Sequence, residues 1–351
     1  MTISMDMLWD KIYGGWLGKC IGCMLGKPIE GWDHEEILSR LKRIGEYPLK
    51  YYIPMEFFTE EELVERRGLV RGEIRCVERD DDVDYMILNL EVVEKKGYNF
   101  TTEDVADAWL SKIPYHCIYT AERVAYRNLV MGLKPPLTAR FFNPYKEWIG
   151  ARIRADVWGW LCPADPTKAV ELARRDAILS HTGEGVYGAM FQAALVANAF
   201  KVSNVLELID TSIEYVPEES RLREVTKFIK ELRSRGVTWE IAIKEVLKRY
   251  SNYPRVHVIN NTAIELIALM WSEEDFSKGI TLAVMGGLDT DCNGANVGAI
   301  LGVMSGASGI PKEWYEVFND KVKTAVCGYG TLSIKELAKR CLNLVTRHGV
   351  S

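Results

Sequence analysis

This sequence has no excess of basic residues: 44 lysines and arginines face 49 aspartates and glutamates, a net charge of −5. A chain of that sign has no electrostatic footing on a phosphate backbone, and nucleic acid is not expected as a partner. Uninterrupted apolar runs of membrane length are lacking too. Lys19 breaks the stretch Ile12 to Leu25, and Asp289 and Asp291 break Ile280 to Ile310, so both read as buried helices and no membrane partner is expected. The opening residues Met1 to Asp10 carry Asp6 and Asp10 in place of a basic segment followed by an apolar one, so no secretory leader is expected. The eight cysteines are scattered and form no disulfide framework, a usage that fits reduced thiols and a cytoplasmic protein. Cys20 and Cys23 form a lone CxxC with no second pair, and they read as packed thiols before a zinc or redox site. No Pro/Gly/Ser-rich linker, low-complexity tract or solenoid-length repeat divides the chain, which predicts one domain over residues 1–351.

Helical periodicity is abundant. In Glu218 to Arg235 the apolar Leu222, Val225, Phe228, Ile229 and Leu232 recur at three- and four-residue spacing. Asp165 followed by Pro166 opens a second helix over Ala164 to Ser180. The pattern predicts further helices at Met5 to Leu25, Asp82 to Lys96, Thr102 to Ser111, Ala121 to Met131, Val186 to Phe200, Trp239 to Tyr250, Thr262 to Trp271, Asp291 to Ser305, Lys312 to Val326 and Ile334 to Arg347. Only Tyr47 to Ile53 and Leu69 to Cys76 have strand-like character, as a short hairpin or an irregular excursion. Two glycine stripes complete the pattern: Gly14, Gly18, Gly22 and Gly26 in the first helix, and Gly294, Gly298, Gly302 and Gly306 in a late one. Each stripe lies along one helix face at a cost of up to about 1 kcal/mol per glycine, which close helix packing would offset. That places both helices at the centre of an all-α fold.

The acids carry the chemistry. Asp80, Asp81, Asp82 and Asp84 stand immediately before the apolar series from Tyr85 to Val93, hence at a helix N-terminus. One or two carboxylates there would cap the helix and complement its dipole, but four among five residues exceed that need, and a bound cation relieves the repulsion. The stretch Gly286 to Gly294 repeats the arrangement, with Asp289 and Asp291 at the mouth of a glycine-striped helix among apolar and small neighbours. Buried aspartates need partners, either a shared metal or a cap with a salt bridge. All-oxygen ligation selects Mg2+, with Mn2+ or Ca2+ as substitutes, over zinc.

With these residues in this order the chain resembles the ADP-ribosylglycohydrolase family from end to end. The resemblance implies an all-α fold with a pair of magnesium ions held by an early Ser/Thr-Asp-Asp motif and a late Asp-x-Asp-Thr motif. Asp80 then stands at the hydroxyl position, Asp81 and Asp82 at the two acids, and Asp289 and Asp291 at the late pair. Gly22-Cys23-Met24-Leu25-Gly26-Lys27-Pro28-Ile29-Glu30 is similar to the family's segment ending in a catalytic or metal-linked glutamate, which makes Glu30 a catalytic candidate beside Asp81 and Asp289. Gly150 and Arg154 match the loop and helix start that receive a diphosphate, while His181 and Tyr187 lie in a stretch similar to the lining of the ADP-ribose pocket. Cys23, Asp80 and Cys292 depart from the family's Asp, Ser/Thr and Thr. The aromatics Trp148, Trp158 and Trp160 read as core, with one of them available to stack on an adenine, and His34, His116, His257 and His348 as structural or surface residues. The implied reaction is hydrolysis of the N- or O-glycosidic bond of an ADP-ribosyl conjugate, on a protein or a small molecule, through an oxocarbenium-like transition state, by a chain expected to act as a monomer. Rival readings are a hydrolase of another ribosyl or nucleotide-like conjugate and an inactive binding protein of the same fold.

Overall fold

Glycine at every fourth position strips one face of the first helix, Met5–Gly26, down to its backbone, and Thr290–Ser305 presents the matching face. The two lie antiparallel in the computed structural model, which describes residues 3–347, with Gly14 against Gly302, Gly18 against Gly298 and Gly22 against Gly294. A methyl group added at Gly18 would fall on the carbonyl oxygen of Gly298, and one at Gly22 on that of Gly294. Backbone meets backbone along almost the whole length of both helices, a separation that only glycine permits.

Further helices wrap this pair, and the fold is all-α, with eighteen α-helices among the described residues. Phe276–Met285 packs on Thr290–Ser305, Val258–Ser272 lies behind it, and Ile334–Arg347 covers the first helix. Val258–Ser272 is buried on every face, consistent with its apolar residues being distributed around the whole helix. One hydrophobic core extends from Leu8 to Val345. No helix among the described residues is long and apolar enough to cross a membrane.

Most expected helices appear within a few residues of their sequence bounds, among them Met5–Gly26, Asp81–Lys96, Arg221–Ser234 and Thr290–Ser305. The expected helix over Lys312 to Val326 does not form as such. Only Glu313–Glu316 is helical, Asn319 and Asp320 then turn into the left-handed region with φ of 52° and 54°, and Lys321–Lys323 becomes a strand paired with Thr331–Ser333. Tertiary pairing decides the matter: Val322 also bridges to Val77, and Asp84 accepts hydrogen bonds from Thr324 Oγ1 at 2.5 Å and the Ala325 amide at 2.9 Å. That excursion braces the head of Asp81–Lys96. Tyr47 to Ile53 and Leu69 to Cys76 form no strand pair, touching through a single backbone bond from the Arg71 amide to the Ile53 carbonyl, and so follow the irregular alternative. His348 lies outside the described residues.

Gly22→Ala tests the central contact. Alanine favours a helix by about 1 kcal/mol over glycine, yet here overpacking should dominate and lower the unfolding free energy by about 2 kcal/mol or more. Urea denaturation followed by circular dichroism reads this, and an unchanged midpoint would mean that the helices do not touch at this level.

Candidate functional site

Two helix N-termini open onto one cavity of about 280 Å3. The first belongs to Asp81–Lys96. Asp80 caps it, its Oδ1 accepting from the Asp82 amide at 2.9 Å while Oδ2 pairs with the Lys27 ammonium. Burial pushes the Asp80 carboxyl up, but Lys27 and the Asp82 amide outweigh it and hold the group below its ordinary value. Asp81 lines the cavity half-buried, raised well above the ordinary range by burial and by Asp80 and Asp82 on either side. Asp82 is buried beneath them. Its Oδ1 lies 2.9 Å from the ammonium of Lys19, and its Oδ2 accepts from the Cys292 thiol at 3.3 Å. Burial raises Asp82 to about 6 against the pull of Lys19.

The second N-terminus belongs to Thr290–Ser305. Gly287 and Leu288 turn through the left-handed region, φ 76° and 65°, and deliver Asp289 to the N-cap. Asn261 clamps the turn by accepting from the Asp289 amide at 3.2 Å and from Asn293 Nδ2 at 2.9 Å. The same turn positions Glu30, because the Gly31 amide donates to the Leu288 carbonyl at 2.8 Å and the Leu288 amide to that of Trp32 at 3.2 Å. Glu30 is thereby held, exposed, at the cavity rim. Burial and the neighbouring Glu30 and Asp82 push Asp289 up to about 8, and Asp291 goes well above its usual range through burial, Glu30 and Asp289. Asp291 Oδ1 is buried without a hydrogen-bond partner.

The five acids Asp80, Asp81, Asp82, Asp289 and Asp291 therefore all line one cavity, joined by Glu30 and Cys292. Glu30, Asp289 and Asp291 offer oxygens within 4.8 Å of one another, as do the ligand atoms of Asp82, Asp291 and Cys292. Hard oxygen donors around an orphaned carboxylate oxygen fit a hard divalent cation. The Cys292 thiol, raised well above its ordinary value by burial and by Asp289 and Asp82, is a neutral donor to Asp82, unlike a thiolate ligand.

The other candidates separate. Gly150 lines the cavity, where any side chain would collide with the Glu122 carboxylate. Arg154 does not reach the cavity and is corrected from a diphosphate contact to an internal strut. Its guanidinium is fully buried, bound to Asp176 at 2.9 Å, Glu122 at 2.5 Å, Ser180 Oγ at 3.0 Å and the Gly150 carbonyl at 3.1 Å. His181 lies behind it, buried, with Nδ1 2.8 Å from Ser180 Oγ and its basicity pushed well down by burial and Arg154. Tyr187 is half-buried against the core, outside the cavity lining. Sequence reasoning missed Lys19 and Lys27. A lysine inside an apolar glycine-striped helix must meet a buried acid, and that signal was present at Lys19. Of the three tryptophans read as core with one free to stack on a ligand, Trp158 and Trp160 are buried, and Trp148 forms part of the cavity wall together with Tyr119.

The wall beside Trp148 is held by the segment before Val258–Ser272. Trp148 and His257 form an antiparallel bridge, and the Ile149 amide donates to the Val256 carbonyl at 3.0 Å. His257 is also the N-cap, its Nδ1 accepting from the Ile259 amide at 3.2 Å, which requires that nitrogen to be unprotonated. Burial, helped by Arg221, lowers His257 to about 4.

Comparison with known proteins agrees with this architecture. The ADP-ribosylglycohydrolase family model matches residues 4–350, and the chain belongs to that family. A solved structure described as an ADP-ribosylglycohydrolase-related protein complex superimposes with a TM-score of 0.60 at 19% identity, covering 97% of this chain and 99% of that one, a likeness of fold. No curated protein matches.

Arg154→Met should cost about 3–5 kcal/mol of stability, because Glu122 and Asp176 lose their buried counter-charge. Chemical denaturation checks this, and normal stability with weakened ADP-ribose binding would restore the diphosphate role. For His257 the folded value lies below the unfolded one, near 6.5. Its stabilising contribution is therefore complete above pH 6.5 and lost as the pH falls toward 4. His257→Asn, a cap that does not titrate, should flatten the stability profile over that window; an unaltered slope in thermal melts between pH 7 and 4 would contradict the assignment.

Proposed function

We propose that this family member is a metal-dependent hydrolase that cleaves the N- or O-glycosidic bond of an ADP-ribosyl conjugate. The observation that carries the reading is the partnerless Asp291 Oδ1, buried between Asp289 and Glu30 in a cavity open to solvent. Glu30, Asp289 and Asp291 would hold the ion, with Asp81 beside them, and Mg2+ suits that donor set, with Mn2+ as a substitute. Bound there, a hard divalent ion supplies Lewis acidity toward ribose hydroxyls and an attacking water.

The protein's own groups do the rest. Glu30 stands exposed at the cavity rim, where its carboxylate could assist proton transfer to or from the attacking water. Asp81 and Asp289 line the cavity on opposite helix heads and can orient a water between them. Glycine at 150 makes room in the cavity wall for the Glu122 carboxylate. The proposed substrate is an ADP-ribosylated protein or a small ADP-ribosyl conjugate.

One observation favours a second reading, a hydrolase of a different ribosyl conjugate. Arg154 is engaged internally, and the cations at the cavity are Lys27 and Arg79 on the side of the acids.

Asp289→Ala should reduce release of free ADP-ribose from N- and O-linked ADP-ribosyl peptides by at least about a hundredfold, and chelation should abolish release until Mg2+ is returned. Turnover retained in Asp289→Ala, or unaffected by chelation, would sink this reading. Turnover confined to other ribosyl conjugates in a substrate panel would establish the second one.

A further inference from the structure

The two sets of ligand atoms in the cavity are not equivalent. None of Glu30, Asp289 and Asp291 has an ion-pair partner among the described residues, and Asp291 Oδ1 has no hydrogen-bond partner. Asp82 is different: its Oδ1, like Asp291 Oδ1, accepts no hydrogen bond, but it faces the Lys19 ammonium at 2.9 Å, and its Oδ2 accepts from the Cys292 thiol at 3.3 Å. Lys19 is fixed just as firmly. Its ammonium also meets Asp156 Oδ2 at 3.0 Å, the Ile153 carbonyl at 2.6 Å and Asn296 Oδ1 at 3.1 Å, and the side chain is wholly buried. The Ile153 carbonyl and Asn296 Oδ1 accept hydrogen bonds from the ammonium, and the two carboxylates supply its counter-charge. Set beside the glycine stripe of the first helix, it is wholly shielded from solvent. Asp80 is committed likewise, with Oδ2 on Lys27 and Oδ1 on the Asp82 amide.

We propose that this chain holds a single divalent ion, at Glu30, Asp289 and Asp291, and that the Lys19 ammonium stands permanently at Asp82 in place of a second ion. The inference rests on the metal reading above and narrows to one the pair of ions that the family resemblance implies. A divalent ion brought to Asp82 would either approach a fixed positive charge in a low-dielectric interior or break the Lys19 pair, leaving Asp156 and an ammonium buried without compensation. Neither penalty applies at the Glu30 side. Lys19 is thus a positioning residue: it orients Asp82, and through Asp82 the Cys292 thiol, without touching substrate.

The test is a count of ions. Metal-free full-length protein is titrated with Mn2+, and bound metal is read by calorimetry and by electron paramagnetic resonance. The expected result is one Mn2+ per chain with the six-line spectrum of an isolated ion, further equivalents staying free. Two bound ions with an exchange-coupled spectrum would overturn the inference while leaving the hydrolase reading intact, and no binding at all would overturn both. Lys19→Met should raise the count from one to two in protein that keeps its circular dichroism spectrum, and a count still at one in folded K19M would remove Lys19 as the cause. Lys27→Met, at the cavity rim, gives a control that does not depend on K19M folding: the count should stay at one, and a count of two would overturn the assignment to Lys19.

Discussion

Backbone contact between two helices near opposite ends of the chain is the constraint on which the rest depends. Gly14, Gly18 and Gly22 allow Met5–Gly26 to lie against Gly302, Gly298 and Gly294 with no side chain between them. At the end of this contact Thr290 Oγ1 donates to the Gly26 carbonyl at 2.8 Å, and the following turn carries Glu30 across to the Leu288 backbone. Sequence separation of some 260 residues is thereby converted into a single cavity. Had either stripe carried alanines, the helices would stand farther apart, and Lys19 would no longer meet Asn296 Oδ1 at 3.1 Å across the interface.

Charge is the second constraint, and it follows from the first. Close packing buries Asp156 and Glu265 wholly and Asp82 almost so, and each needs a cation or a donor inside the protein. Asp82 and Asp156 share Lys19, while Glu265 pairs with Arg152 and accepts from Asn296 Nδ2 at 2.8 Å. Arg154 performs the same office for Glu122 and Asp176. Arg152 and Arg154, which follow Gly150 in sequence, are therefore framework and brace the cavity wall without lining it.

Legibility in the sequence followed the strength of the local signal. The glycine period, the four aspartates heading an apolar helix and the Asp289/Asp291 pair each announce themselves within thirteen residues, and each is where the pattern places it. Less local features were not legible. The strand Lys321–Lys323 forms because Val322 finds Val77, a partner more than 240 residues away, and nothing between Lys312 and Val326 announces it. Arg154 lies four residues after Gly150, close enough to suggest a shared ligand, yet its direction is set by Asp176 and Glu122 on two other helices. Lys19 was the readable exception: a charged residue in an apolar helix indicates a buried acid as directly as it indicates that the helix does not cross a membrane.

Helix ends supply the last part of the electrostatics, and they are not enough. Both Asp81–Lys96 and Thr290–Ser305 direct their N-termini at the cavity, and the partial positive charge there stabilises carboxylates by roughly 0.3–1 kcal/mol each. Such a contribution is worth less than one pKa unit, since a full unit corresponds to about 1.4 kcal/mol. Asp289 nevertheless stands near 8 and Asp291 well above its ordinary range, so dipoles, Lys19 and Lys27 together leave the Glu30 side of the cavity undercompensated. Asp81 and Asp82 on the other head are raised as well, but there Lys19 and Lys27 stand against Asp82 and Asp80, whereas Asp291 across the cavity has a bare oxygen and no ion-pair partner among the described residues. A cation drawn into the cavity would gain most where no ammonium already stands, and the asymmetry between the two helix heads thus selects the head of Thr290–Ser305.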